Sequence, residues 1–165
     1  MKRQEQRGFS LIELLIVVAI ILIIAAIAIP NLLRARMAAN ESSAVASIRT
    51  VNTAMVTYNS TYPTVGFATG LANLGGANPC AAPASTAACL IDSVLSAGTK
   101  SGYSFLAVGS TGTPQVAYTA AGSPVTLNRT GNRSFCSYED AVLRVQPTGA
   151  AIAAGGCSAL LPLNQ

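Results

Sequence analysis

Glu13 is the one charged residue in the 21 residues from Phe9 to Ile29. A carboxylate in so apolar a stretch costs about 2.5–3.5 kcal/mol at the centre of a membrane helix and less near its end. A charge kept there calls for a partner or a task. Upstream the order is basic, small, aromatic: Lys2, Arg3 and Arg7, then Gly8, then Phe9. That order places a processing site before the apolar run, whereas a secretory signal is cut after it. The second chemically able set is Cys80, Cys89, Cys136 and Cys157. Their even number and their position beyond the apolar run predict two disulfides in an oxidising compartment. Three pairings are open. Cys80–Cys89 with Cys136–Cys157 is favoured because each closes a local loop. A four-thiolate zinc site usually has close Cys-x2-Cys pairs, which these spacings lack.

The rest of the chain offers little for catalysis. It has no histidine, which rules out Ser-His-Asp, Cys-His and histidine-metal chemistry. No Gly-Lys phosphate cradle is present. The reading is of a protein that is not an enzyme and takes no metal or cofactor. Glu139-Asp140 would suit a calcium ion, against the plainer reading of a solvated turn. Arg129 and Arg133 flank a turn, where a basic knob could meet DNA phosphates or simply face water. The sequons at Asn40, Asn59, Asn128 and Asn132 are permissive for glycosylation and no more. The formal net charge is +4. Half of it comes from Lys2, Arg3 and Arg7 against Glu5, so charge alone does not argue for nucleic acid.

These residues need elements to hold them. The 21 apolar residues span about 30 Å as a helix, the thickness of a bilayer core. The basic start fits a cytoplasmic amino end, although Arg34 and Arg36 beyond the run weaken that charge asymmetry. The helical pattern continues past Pro30. Met37, Ala44, Ile48, Val51, Met55, Tyr58 and Tyr62 form one stripe at three- and four-residue steps. One helix is therefore expected from about Ser10 to Tyr58, apolar all round at first and amphipathic afterwards. Pro30 removes one backbone bond and loosens it locally. Tyr62-Pro63 ends the helix, and residues 63–85 read as an irregular loop. Ala87 to Ala97 reads as a short helix burying Leu90, Ile91, Val94 and Leu95, stopped at Gly98. Tyr103–Val108 and Gln115–Thr119 read as a hairpin, and Ser134–Tyr138 with Ala141–Val145 as a second pair. The expected fold is α+β: the long helix laid on a roughly four-stranded antiparallel sheet.

The run Gly8-Phe9-Ser10-Leu11-Ile12-Glu13-Leu14 resembles the cleavage and methylation motif of type IV prepilins and the related secretion pseudopilins. The resemblance is strong over residues 1 to about 60 and weaker in two stretches, 90–105 and 133–144. It implies a leader, residues 1–8, cut by a prepilin peptidase between Gly8 and Phe9, and methylation of the new Phe9 amine. It implies a helix, residues 9–60, that anchors in the inner membrane and forms the filament core to about residue 30. Residues 61–165 would then be a pilin domain outside the cytoplasm. It implies that Glu13 neutralises the Phe9 amine of a neighbouring subunit, and Pro30 stands where such proteins interrupt the helix. The implied function is a self-polymerising subunit of a surface pilus used in motility, adhesion or DNA uptake. An inner-membrane platform protein and a cytoplasmic ATPase would drive assembly. The alternatives are a minor tip pilin that binds DNA or surfaces and a type II secretion pseudopilin. A conductive fibre is disfavoured, because aromatics are only 5% of the chain.

Overall fold

The computed structural model describes residues 9–77, 79–80 and 82–163. These fall into two compact units, one ending at Ala35 and one starting at Arg36.

Helix α1 runs over Leu11–Thr61, 51 residues. In the first unit none of its side chains is buried. In the second, its buried positions are Glu41, Ala44, Ser47, Ile48, Val51, Asn52, Ala54, Met55 and Tyr58, the spacing of a single helical face. The helix stops at Thr61, directly before Tyr62-Pro63, as the restriction on a pre-proline residue requires.

The buried face of α1 lies on a six-stranded antiparallel sheet: β1 (Thr99–Lys100), β2 (Tyr103–Gly109), β3 (Tyr118–Pro124), β4 (Ser134–Tyr138), β5 (Arg144–Gln146) and β6 (Leu161–Pro162). The strands pair in chain order, with Phe105 opposite Gly122 and Ala121 opposite Cys136. The α+β, pilin-like architecture expected above is the one observed. The two extra strands are two-residue edges beyond the four predicted.

Tyr58, Tyr103, Phe135, Ile48, Met55, Leu74 and Leu95 are the large, fully enclosed side chains of the core. Each contributes about 1.5–3 kcal/mol of apolar burial. At Gly122 the helix comes close: an added Cβ would lie 2.9 Å from the Phe105 ring and 3.6 Å from Ile48 Cδ1. On the opposite face of the sheet a smaller cluster joins Ala121, Cys136, Ile152 and Cys157, with Leu106, Tyr138 and Leu160 against it.

Several local expectations need correction. The helix read over Ala87–Ala97 is only α3, Ser93–Ser96, capped by Asp92, whose carboxylate accepts the Leu95 N–H. Before it the chain is irregular: Cys89 adopts φ +57°, and Ala88, Cys89 and Leu90 give their N–H groups to the carbonyls of Asn73, Gly75 and Leu74. Val94, assigned to the buried face, is 55% exposed. Gly98 does end the turn, with φ +82°. In the loop 63–85, Leu71–Leu74 forms one helical turn, α2, burying Leu71 and Leu74. The strand expected at Gln115–Thr119 begins at Tyr118 instead. Gln115 exchanges backbone bonds with Val65 and Phe67, which takes it out of the hairpin ladder. Likewise β5 starts at Arg144 and not Ala141, since Ala141 adopts φ +57° in the preceding turn.

Candidate assembly site

The amino-terminal segment of α1 carries the first candidate site. Gly8 and the rest of residues 1–8 lie outside the described residues. Phe9 precedes the helix and is 80% exposed. Glu13 falls in the first turn, where the helix dipole favours a negative charge. Its carboxylate is exposed and has no ion pair among the described residues. From Leu14 to Ile29 every large apolar side chain keeps between 46% and 64% of its surface exposed. Soluble monomers rarely leave contiguous apolar patches beyond a few hundred Å2, and this surface is a continuous apolar one. It belongs to the one helix among the described residues long and apolar enough to cross a membrane. The helix continues through Pro30. That residue lacks the N–H that would reach the Ala26 carbonyl. Ala19, Ala25, Ala26 and Ala28 supply the small side chains that permit close helix packing.

In the second unit the polar side chains mainly hold the helix to the sheet. Glu41 accepts from Arg133 Nε at 2.9 Å, from Arg133 Nη2 at 2.7 Å and from the Asn132 N–H at 2.9 Å. Asn40 donates to the Thr130 carbonyl at 2.9 Å. Deeper in, Asn52 donates to Ser137 Oγ at 2.9 Å and accepts from the Tyr118 hydroxyl at 3.2 Å. Burial pushes the Tyr118 and Tyr103 hydroxyls up to about 12. These partners lie between 66 and 92 residues apart in the chain, so no local spacing announces them.

Two readings of the polar loops change accordingly. Arg133 is committed to Glu41, so the basic knob is reduced to Arg129, which is exposed. Asp140 accepts from Arg144 Nη1 and Nη2 at 3.1 and 2.7 Å, and also takes the Val142 N–H. The Arg144 hydrogen bonds hold the Asp140 carboxyl below its ordinary range. It is therefore a turn former, and Glu139 beside it is exposed. No cluster suited to a metal occurs among the described residues. Cys80 is bonded to Cys89 and Cys136 to Cys157. The second bond pins the carboxy-terminal segment to the outer face of the sheet.

Residues 3–29 match the family model of the prokaryotic N-terminal methylation motif. The chain is similar to the type II secretion system core protein G of Klebsiella michiganensis, 39% identical over 67 residues, covering 39% of this chain and 47% of that protein. It is also similar to the type IV wide pilus major component PilA4 of Thermus thermophilus, 62% identical over 39 residues, 24% of this chain and 30% of that protein. The type IV major pilin protein PilA of Myxococcus xanthus is 46% identical over 54 residues, 33% of this chain and 24% of that protein. The chain thus spans less than half the length of the curated relatives it matches. No solved structure matches significantly. Two of these relatives are named as type IV pilus components and one as a type II secretion core protein, and the likeness is that of a pilin-type subunit.

Proposed function

We propose that this chain is the structural subunit of a type IV pilus. It is cut by a prepilin peptidase between Gly8 and Phe9, methylated at Phe9, held in the inner membrane by α1, and then polymerised into a surface filament. The observation that carries this reading is the long apolar surface of α1 up to Ile29, left uncovered in the single chain and marked by one carboxylate in its first turn. In this scheme Glu13 meets the Phe9 amine of a neighbouring copy. Both charges leave water when the helices bundle, and a paired charge costs far less to bury than a lone one. A copy docked at the wrong height leaves both uncompensated, so the pair sets axial register. Lipid contact is exchanged for helix contact, so little new apolar area is gained. The energy for polymerisation then comes from outside, from a platform protein and a cytoplasmic ATPase.

The test is mass spectrometry of material sheared from the native cell surface. A dominant chain beginning at methylated Phe9 is the expected result; a chain retained with the envelope and absent from sheared fibres refutes the pilus. One observation favours a second reading. The type II secretion relative matches over 67 residues against 39 and 54 for the two pilins, which supports a pseudopilin that stays in the envelope.

A further inference from the structure

Three ion pairs hold the described residues of the second unit: Lys100–Asp92, Arg133–Glu41 and Arg144–Asp140. Among those residues Glu139 is then the one side-chain carboxylate without a cation. It stands after β4 and lines an open groove of about 450 Å3, whose other walls include Val108, Ala117, Tyr118, Tyr138 and Ala154. Glu139 is the only charge in that lining. At the other end of the same strands, the loop from β3 to β4 carries Arg129, exposed and without an ion pair among the described residues. Val125 and Leu127 beside it are 57% and 47% exposed. The loop is prefolded: Asn128 adopts φ +61° at its tip, its N–H donates to the Gly131 carbonyl at 3.0 Å, and the Thr130 N–H donates to the Thr126 carbonyl at 2.9 Å. Asn40 on α1 ties it from below.

We infer that the Val125–Arg129 loop of one copy docks into the Glu139 groove of a second copy. The apolar side chains meet the groove walls and Arg129 meets Glu139. The occupant must be another copy. Strand β3 separates the two features, and its seven residues extend about 20 Å, beyond the reach of the two side chains. A rigid loop loses little freedom on binding. Because groove and loop are different surfaces at opposite ends of one sheet, the contact is heterologous. It links the sheet units head to tail, and it rests on the filament reading above only in supplying that reading with a contact outside α1.

The experiment uses the full chain with Arg129→Lys and a carbodiimide, which joins a carboxylate to an amine with loss of water. It is applied to membranes and to sheared material. The expected product is a dimer ladder containing a peptide in which the Glu139 carboxylate is amide-linked to the amine introduced at position 129. About tenfold less dimer is expected when Glu139→Gln is added. Independently, Glu139→Arg and Arg129→Glu each lower the polymer and the double reversal restores it. Filaments that form without the 139-to-129 peptide overturn the docking and leave the filament reading standing. The peptide in membranes with no sheared filament supports the docking and overturns the pilus. Glu139 linked instead to a different protein overturns the docking.

Discussion

Arg133 grips a single oxygen of Glu41, Oε2, with two nitrogens at 2.9 and 2.7 Å, across 92 residues of chain. The partnership is unequal in exposure. The Glu41 side chain keeps 11% of its surface and that of Arg133 keeps 49%. The carboxylate therefore loses more when the pair is broken from the other side. Arg133→Ala is expected to destabilise the chain by about 2–3 kcal/mol and Glu41→Gln by about 1 kcal/mol, since the amide keeps the Asn132 bond. Urea unfolding of the detergent-solubilised protein measures both; a costlier Glu41→Gln would reverse this assignment.

The pH response has two flanks. The Leu95 N–H and then Lys100 hold the Asp92 carboxyl below its ordinary 3.8, as Arg144 does for Asp140. That stability is present above the unfolded value and is lost as pH falls through the lower folded values. Burial raises Tyr103 and Tyr118 from 10.0 to about 12. Above pH 10 the unfolded chain releases these protons first, so stability falls as pH rises toward 12. The melting temperature is expected to be flat over roughly pH 5 to 9 and to drop on both sides. An unchanged melting temperature at pH 11 would contradict the tyrosine burial.

The Cys136–Cys157 bond closes a separation of 21 residues. Replacing both by Ser is expected to cost about 3 kcal/mol by loop-closure entropy. It should also free Ile152 and Leu160 from the outer face of the sheet. Hydrogen exchange would then show lost protection in residues 147–160 while α1 keeps its own. Equal loss in α1 would mean the outer cluster supports the whole unit.

Glu13→Ala removes one carboxylate from an exposed helical turn and touches no fold contact. Membrane insertion and a folded sheet unit are expected to survive while polymer in the sheared fraction falls at least about tenfold, the effect of losing about 1.4 kcal/mol at one contact. Normal filament yield from this variant would remove the pairing with Phe9 from the scheme.

Periodicity alone locates α1, because the stripe Ala44, Ile48, Val51, Met55, Tyr58 is set by the helix itself and is buried as a unit. Ala88 to Ile91 misleads for the opposite reason. Its apolar spacing mimics a helix, yet its backbone bonds go to residues 73–75 in the same unit, a choice no local pattern records. Strand β3 is half hidden because Ala120, Ala121, Gly122 and Ser123 are poor strand formers. They form a strand because β2 pairs with all four and β4 with Ala120, Ala121 and Gly122. The Phe9 and Glu13 motif stands out by composition. The groove beside Glu139 does not, since it is assembled from four separate stretches of chain.

The two rims of the sheet are β1 and β6, each two residues long, with Lys100 on one and Pro162 on the other. A short rim bearing a lysine or a proline is a poor template for strand addition. Crowded chains with open sheet edges risk cross-β aggregation, and these short, blunted rims close off that route.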